Sequence, residues 1–187
     1  MRAVVWTHGT PRALETLGGS FTAAYRINDA GYSVGIANLS DASLHGALWT
    51  PRGNIVDLGV DTVATDINNN GRIVGFTNAN LQPKPATWYR GLRTILPTLG
   101  GQNGLVNDIN QKDEAVGYSQ TATGLQRATL WVDAARPVQI DTLLDDDSQG
   151  YVIHDALAIN DKGQIAAVRR LINNRIEPLL LTPHRCH

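Results

Sequence analysis

Oxygen-bearing side chains recur at one repeated position of the sequence. The phrase "INDAGYSVG" at residues 27–35 returns as "INNNGRIVG", "INQKDEAVG" and "INDKGQIAA". The asparagines of these four copies are Asn28, Asn68, Asn110 and Asn160. Asp66 and Asp108 lie two residues before two of them. Ca²⁺ prefers oxygen ligands of these kinds. If the copies converge on one axis, these six residues predict a calcium site that polarises a carbonyl group and acidifies a bound water.

The same asparagines have a second interpretation, in which they only make turns. Asn at the start of a tight turn hydrogen-bonds its own backbone two residues further on. Glycine follows three residues later in three copies and supplies a positive φ at no steric cost: Gly31, Gly71 and Gly163. Asp113 takes this place in the third copy, and Asp tolerates the left-handed region. The phrase then joins two strands as a hairpin, and the sequence leaves both interpretations open.

A second recurring position lies four residues before each tryptophan. It carries a basic or imidazole side chain: Arg2, His45, Lys84 and Arg127. Residues four apart on a strand point to the same face, so these side chains recur at equivalent places. They predict a rim that binds an anionic ligand. Alternatively, they are solvated side chains whose apolar stems lie over the tryptophan rings.

Histidine supplies the candidates for acid–base catalysis. His45 and His154 are the candidate general bases, because histidine titrates near neutral pH. The sequence contains no G-x-S-x-G nucleophile motif. If the protein is an enzyme, these residues favour a metal-dependent hydrolase of lactones or other esters.

The composition narrows the possible partners and the compartment. The 187 residues are 42% hydrophobic, and the net charge of −1 argues against a nucleic-acid or anionic-membrane partner. No apolar run approaches the roughly 18 residues of a membrane span. The N-terminal residues lack the basic-then-apolar layout of a signal peptide, so we expect a cytoplasmic chain.

Two independent markers define an internal repeat. The four tryptophans are Trp6, Trp49, Trp88 and Trp131, with spacings of 43, 39 and 43 residues. The asparagines give spacings of 40, 42 and 50 residues. Each unit holds four short apolar runs separated by turn residues, which predicts four β-strands per unit. The units are residues 2–45, 46–84, 85–126 and 127–177, with a closing strand at 178–183.

This repeat predicts an all-β fold with a single repeat domain. Four-stranded units of about 40–45 residues are typical of β-propeller blades, so we expect a small propeller of four blades, or five. The run "PLLLTP" at 178–183 aligns with "GALWTP" at 46–51, so one strand type occurs five times. The extra strand leaves room for ring closure, for a fifth partial blade, or for strand exchange between two chains. The protein is then a monomer or a strand-exchanged dimer.

The repeat resembles that of the HAF-repeat proteins, a family of predicted extracellular bacterial proteins. The family pattern is similar to His45-Gly46-Ala47-Leu48-Trp49, to Leu17-Gly18-Gly19 and to the "INDKGQIAAVRR … LLLTP" tail. The resemblance implies a propeller-like fold and an extracellular location. Family members usually carry a secretion signal and often more repeats. The predicted calcium site also resembles that of the propeller lactonases, which bind Ca²⁺ at the tunnel mouth.

Two functions follow as expectations. The first is a binding module that recognises a small molecule, a glycan or a protein through its channel or its face loops. The second is a calcium-dependent hydrolase of the lactonase or esterase type, with its site at the central channel.

Overall fold

The structure is a computed structural model that describes residues 1–78, 81–145, 148, 150–171 and 173–184. Within these residues the named elements are seventeen β-strands and one turn of 3-10 helix, Ile140–Leu143. The predicted all-β class is therefore confirmed. Within the described residues, no helix has the length and apolar character needed to cross a membrane.

Antiparallel pairing of consecutive strands produces five sheets. Sheet 1 is the hairpin of β1 (Val4–Thr7) and β2 (Thr10–Ala13). Sheet 2 contains β3 (Thr22–Ile27), β4 (Ser33–Asn38), β5 (Leu44–Trp49) and β6 (Ile55–Val60). Sheet 3 contains β7 (Thr62–Ile67), β8 (Ile73–Thr77), β9 (Lys84–Tyr89) and β10 (Leu92–Ile95). Sheet 4 contains β11 (Gly100–Ile109), β12 (Ala115–Thr121), β13 (Gln126–Val132) and β14 (Arg136–Gln139). Sheet 5 contains β15 (Ile153–Ile159), β16 (Ile165–Arg170) and β17 (Ile176–Leu181).

The repeated asparagine phrase is the turn between the first and second strands of sheets 2 to 5. In sheet 2, the backbone N–H of Asn28 donates to the carbonyl of Tyr32, and β3 pairs with β4 across the turn. The predicted hairpin is confirmed. The unit boundaries after residues 45, 84 and 126 fall within third strands, so each complete sheet takes two strands from each of two successive units.

Sheets 2 to 5 stack in sequence order. The first strand of each sheet packs on the second and third strands of the sheet before it. Between sheets 2 and 3, for example, Val34 packs with Ala64, Ile67 and Trp88 in one buried cluster. Equivalent clusters fill the next two interfaces, and a fourth lies between sheets 1 and 2. The core is therefore a series of apolar layers rather than one central mass.

Each buried tryptophan also ties its sheet to the preceding one by a hydrogen bond. The indole N–H of Trp49 donates to the carbonyl of Glu15 over 2.9 Å. Trp88 and Trp131 make the same bond to backbone carbonyls that follow or belong to the previous sheet, at 3.0 and 2.8 Å. Buried indole N–H groups need such partners, which explains one fixed position per unit. Trp6 differs, because 68% of its surface is exposed.

No strand pairing closes the stack into a ring within the described residues. Among the described residues, β15–β17 are neither paired with nor closely packed on any strand of sheets 1 and 2. The propeller and its blade count therefore stay predictions.

Candidate functional site

The oxygen of each repeated asparagine side chain is used inside its own turn. Asn68 Oδ1 accepts hydrogen bonds from the backbone N–H groups of Asn70 at 3.1 Å and Arg72 at 3.0 Å. Asn110 and Asn160 accept equivalent pairs of bonds, and Asn28 accepts the N–H of Tyr32. This is the turn chemistry that the sequence predicts.

The nitrogen of the same side chain reaches the next sheet, which the sequence does not reveal. Asn28 Nδ2 donates to the carbonyl of Asn68 over 3.1 Å, and Asn68 Nδ2 to the carbonyl of Asn110 over 3.0 Å. Asn110 Nδ2 continues the row to the carbonyl of Asn160 over 3.2 Å. Asn160 Nδ2 instead bonds Gln164 Oε1 in its own turn. We name this row the asparagine ladder. It connects sheets 2 to 5 in one direction.

The residue after each asparagine adds a second rung. The backbone N–H of Asp29 donates to Asn69 Oδ1 over 2.9 Å. The N–H of Asn69 donates to Gln111 Oε1, and that of Gln111 to Asp161 Oδ1, both over 2.8 Å. The residue after the asparagine therefore carries a side-chain oxygen from the second copy onward, and Asn69, Gln111 and Asp161 supply it.

The hydrogen bonds of the turns compete with the predicted calcium site for the asparagine oxygens. A Ca²⁺ ion bound by the ladder asparagines would have to displace the turn hydrogen bonds that their oxygens accept. Within the described residues, no group of three or more His, Cys, Asp or Glu side chains is placed to hold a metal ion. Calcium binding by Asn28, Asp66, Asn68, Asp108, Asn110 and Asn160 stays a prediction.

Asp66 and Asp108 lie on neighbouring first strands and also bridge sheets. Asp66 Oδ2 accepts the N–H of Ile109 over 3.1 Å, and Asp108 Oδ2 accepts the N–H of Ile159 over 2.7 Å. Burial, together with the adjacent Asp66, raises the pKa of Asp108 to about 7 against the opposing effects of the Ile159 N–H and Arg26. The proton on Asp108 is therefore held in the folded state into the neutral range.

A second buried acid lies nearby on β15. Burial raises the pKa of Asp155 to about 6, although the hydrogen bond from Asn107 Nδ2 opposes the shift. Asn107 Nδ2 also donates to the carbonyl of Ala156 over 2.9 Å and so joins sheets 4 and 5. These acids contribute to the packing between sheets.

The four predicted rim residues lie at equivalent places in four different sheets. His45, Lys84 and Arg127 are on the third strands β5, β9 and β13, and Arg2 lies just before β1. Among the described hydrogen bonds and ion pairs, none joins two of these residues. Arg127 Nε lies 3.5 Å from Asp141 Oδ2, and His45 pairs with Asp57. Lys84 is half-buried on β9, and Arg2 is exposed.

His45 belongs to a polar chain that the sequence search missed. His45 Nδ1 lies 2.9 and 3.0 Å from the two carboxylate oxygens of Asp57, across the β5–β6 pair. His45 Nε2 lies 3.4 Å from Ser43 Oγ. Ser43 Oγ also donates to Asp41 Oδ1 over 2.6 Å. Alternation along the strand is a sequence signal only for Ser43 and His45, because Asp41 lies in the turn before β5, where Ala42 has a φ of 69°.

His154 lies far from this chain in the stacking order. It is on β15 in sheet 5, whereas His45 is on β5 in sheet 2. Burial lowers the pKa of His154, and the positive charges of Arg170 and Arg127 lower it further. The structure does not bring the two predicted bases together.

A cleft of about 840 Å³ lies between sheets 2 and 3. We name it the inter-sheet cleft. Its lining includes Tyr32, Asp57, Trp88, Tyr89, Arg90 and Arg93. The guanidinium carbons of Arg72 and Arg90 lie 4.5 and 5.1 Å from the centre of the Tyr89 ring.

The turn after β9 explains why the cleft opens here. It consists of Arg90 and Gly91, both with positive φ, and it leaves the space beside Trp88 unfilled. The corresponding turn of sheet 4 is longer, and its Ala134 is buried in the cluster around Trp131. The cleft therefore results from one turn that is shorter than its counterpart.

No protein-family model, curated protein or solved structure matches the chain. The similarity to HAF-repeat proteins therefore stays an expectation from the sequence.

The raised pKa of Asp108 predicts a pH-dependent stability. An unfolded Asp titrates near about 4, so between about pH 4 and pH 7 the folded protein holds the extra proton. The stabilisation is complete below this range and is lost as the pH rises to about 7. Replacing Asp108→Asn removes the titration, so the melting temperature should fall less between pH 4 and pH 8 and should exceed the wild-type value at pH 8.

The matched control is Asp133→Asn, at an exposed turn position with a positive φ that Asn tolerates. Its melting profile should parallel the wild type. A parallel profile for Asp108→Asn as well would contradict the assignment.

Proposed function

We propose that the protein is a binding module of β-propeller type that takes an acidic ligand in the inter-sheet cleft. Complete four-stranded meanders in sheets 2 to 4 stack through equivalent faces, as propeller blades do. Sheets 1 and 5 supply complementary strand types, because β1 and β2 correspond to the third and fourth strands of a blade. These observations favour a propeller arrangement.

The size and lining of the cleft carry the proposal. A volume of about 840 Å³ lies within the range of ligand pockets, roughly 300–1,000 Å³. Tyr32 and Tyr89 present partly exposed aromatic rings for the flat or apolar face of a ligand. Aromatic walls with a few fixed polar groups are typical of small-molecule sites.

The charges of the cleft favour an anion. Arg90 and Arg93 are exposed at its lining, and the described residues place no acidic partner within ion-pair distance of either. The one acidic side chain of the lining, Asp57, is already paired with His45. A guanidinium fork matches a carboxylate in two parallel hydrogen bonds. A carboxylated sugar, with an apolar ring face and one negative charge per residue, fits both features.

Trigalacturonate and the uncharged maltotriose test this ligand class by calorimetry. The wild type should bind the acidic trisaccharide and bind the neutral one more weakly. Arg93→Gln should lower the affinity for trigalacturonate about tenfold, because one charge-assisted hydrogen bond contributes about 1.5–3 kcal/mol. Arg136→Gln, at an exposed position on β14, is the matched control and should bind as the wild type. Failure of the wild type to prefer the acidic sugar would overturn the ligand class.

One observation favours a second candidate function, hydrolysis of an activated ester. The chain Ser43, His45, Asp57 has the order of a nucleophile, a general base and an orienting acid. In this reaction Ser43 Oγ bonds to the ester carbonyl carbon while His45 Nε2 takes the hydroxyl proton and passes it to the leaving alkoxide. Water then hydrolyses the acyl-serine. Asp57 holds the imidazole in place.

A fluorophosphonate probe tests the second function by intact-protein mass. It should label the wild type at Ser43, and Ser43→Ala or His45→Ala should abolish the labelling. Asp41→Asn should accelerate it, because Asp41 competes with His45 for the Ser43 hydroxyl proton. An unlabelled wild type, or labelling that persists in Ser43→Ala, would rule the function out.

A further inference from the structure

We propose that the stack continues from one molecule to the next: sheet 5 of one copy packs against sheet 2 of a second copy. The contact repeats, between chains, the interface that joins neighbouring sheets within the chain. The assembly is head-to-tail and closes into a ring where the rotation per copy allows it.

The argument starts from two exposed alanines, Ala24 on sheet 2 and Ala166 on sheet 5. At every internal interface, one residue of the second strand shares a buried cluster with one residue of the next sheet's first strand. These pairs are Val34 with Ala64, Val74 with Val106, and Val116 with Ala156. All six residues are fully buried. By strand register, the two positions left over are Ala166 on sheet 5 and Ala24 on sheet 2, and both are exposed.

The isoleucine before each ladder asparagine gives the same comparison. Ile67, Ile109 and Ile159 are 6%, 4% and 9% exposed, whereas Ile27 is 57% exposed. The three buried residues face the sheet before their own, and sheet 2 is preceded only by the two strands of sheet 1. Burying one Ile side chain contributes about 1.5–3 kcal/mol, so this exposed position favours association.

The face of sheet 5 that points away from sheet 4 carries exposed apolar residues. Leu157 and Leu180 occupy positions equivalent to Asn107 and Leu130, which are partly covered in sheet 4. Both leucines are exposed. Sheet 5 therefore offers an apolar face of the kind that receives the first strand of a following sheet.

The polarity of the asparagine ladder makes the two ends complementary. Asn160 ends the row with an exposed side-chain amide that donates only within its own turn. Asn28 begins the row, and among the described residues its carbonyl accepts only the N–H of Gly31. Bringing sheet 5 to sheet 2 of a second copy lets Asn160 Nδ2 donate to that carbonyl, as at the three internal steps.

A second copy fits these ends better than the chain's own opposite end. Sheet 1 is fixed to sheet 2 by the bonds from Ala3 N–H to Thr22 Oγ1 and from Trp49 to Glu15. Sheet 5 is fixed behind sheet 4, and within the described residues no strand of sheet 5 packs closely on sheet 1 or sheet 2. A second molecule meets both ends without bending the stack.

Association of the two copies requires one strand to be displaced from sheet 5. β1 and β17 are the same strand type, and only one of them can lie beside β16. We assign this place to β1 of the second copy. Its Trp6 is exposed, unlike the buried tryptophans of the later units, and completion of the sheet covers it. β17 leaves Ile176 and Leu180 exposed, whereas its Leu179 and Leu181 pack against the core cluster, so β1 of the second copy has to replace those two contacts.

Thiol crosslinking between two single-cysteine variants tests the contact. Ala24→Cys and Ala166→Cys are made in a Cys186→Ser background, since Cys186 is the only cysteine of the sequence and lies outside the described residues. A short bismaleimide should produce a crosslinked dimer when the two variants are mixed. It should produce no dimer with either variant alone.

The control mixture combines Ala24→Cys with Ala135→Cys, an exposed turn position of sheet 4, and should give no dimer. The double variant Ala24→Cys/Ala166→Cys separates the alternatives. Crosslinking that stays within one chain overturns the proposal in favour of ring closure by the monomer. Absence of crosslinks, together with a monomer mass by light scattering, overturns it as well.

Discussion

The side-chain amide of the repeated asparagine makes hydrogen bonds in two directions, and the stacking of the sheets depends on this. Its oxygen closes the turn between the first two strands of a sheet, and its nitrogen satisfies a backbone carbonyl of the next sheet. Asn68 and Asn110 are almost fully buried, so an unpaired amide or carbonyl at these points would be costly. A residue with only an acceptor or only a donor cannot replace it. One side chain therefore fixes both the local turn and the distance to the neighbouring sheet.

The rest of each unit is arranged around this point. A β-bulge two residues before the isoleucine turns the first strand, and the glycine of the "VG" pair faces it. A Cβ at Gly35 or Gly75 would lie 2.0 Å from a carbonyl oxygen of the bulged strand. The fourth unit carries Ala167 at this place, and it is buried opposite Ala156. The acids Asp66 and Asp108 accept backbone N–H groups of the next sheet beside the same turns, and burial raises the pKa of Asp108.

The regularity of the sequence made most of the strands predictable, because apolar runs, turn glycines and tryptophans recur at a fixed distance. Trp49, Trp88 and Trp131 fall on equivalent strands as predicted. The grouping of strands into sheets was not predictable. Each complete sheet takes strands from two successive units, and nothing within a single repeat shows where one sheet ends and the next begins. The site was predictable only in part. The turn role of Asn68 follows from its own neighbours, but its bond to Asn110 depends on how two sheets meet. The pairing of His45 with Asp57 and Ser43, and the cleft beside Tyr89, depend on side-chain directions and on a turn length that spacing alone does not give.

The most direct test of this account compares Asn28→Asp with Asn160→Asp. Both asparagines precede an aspartate and both close a turn, but within one chain only Asn28 Nδ2 donates to the next sheet, so the two variants are compared at a protein concentration at which the chain is a monomer. Asp keeps the turn acceptor and removes the donor. The free energy of unfolding in urea should fall by about 1–3 kcal/mol for Asn28→Asp and by less than about 0.5 kcal/mol for Asn160→Asp. Equal losses for the two variants would contradict the claim that the asparagine nitrogen holds the sheets together.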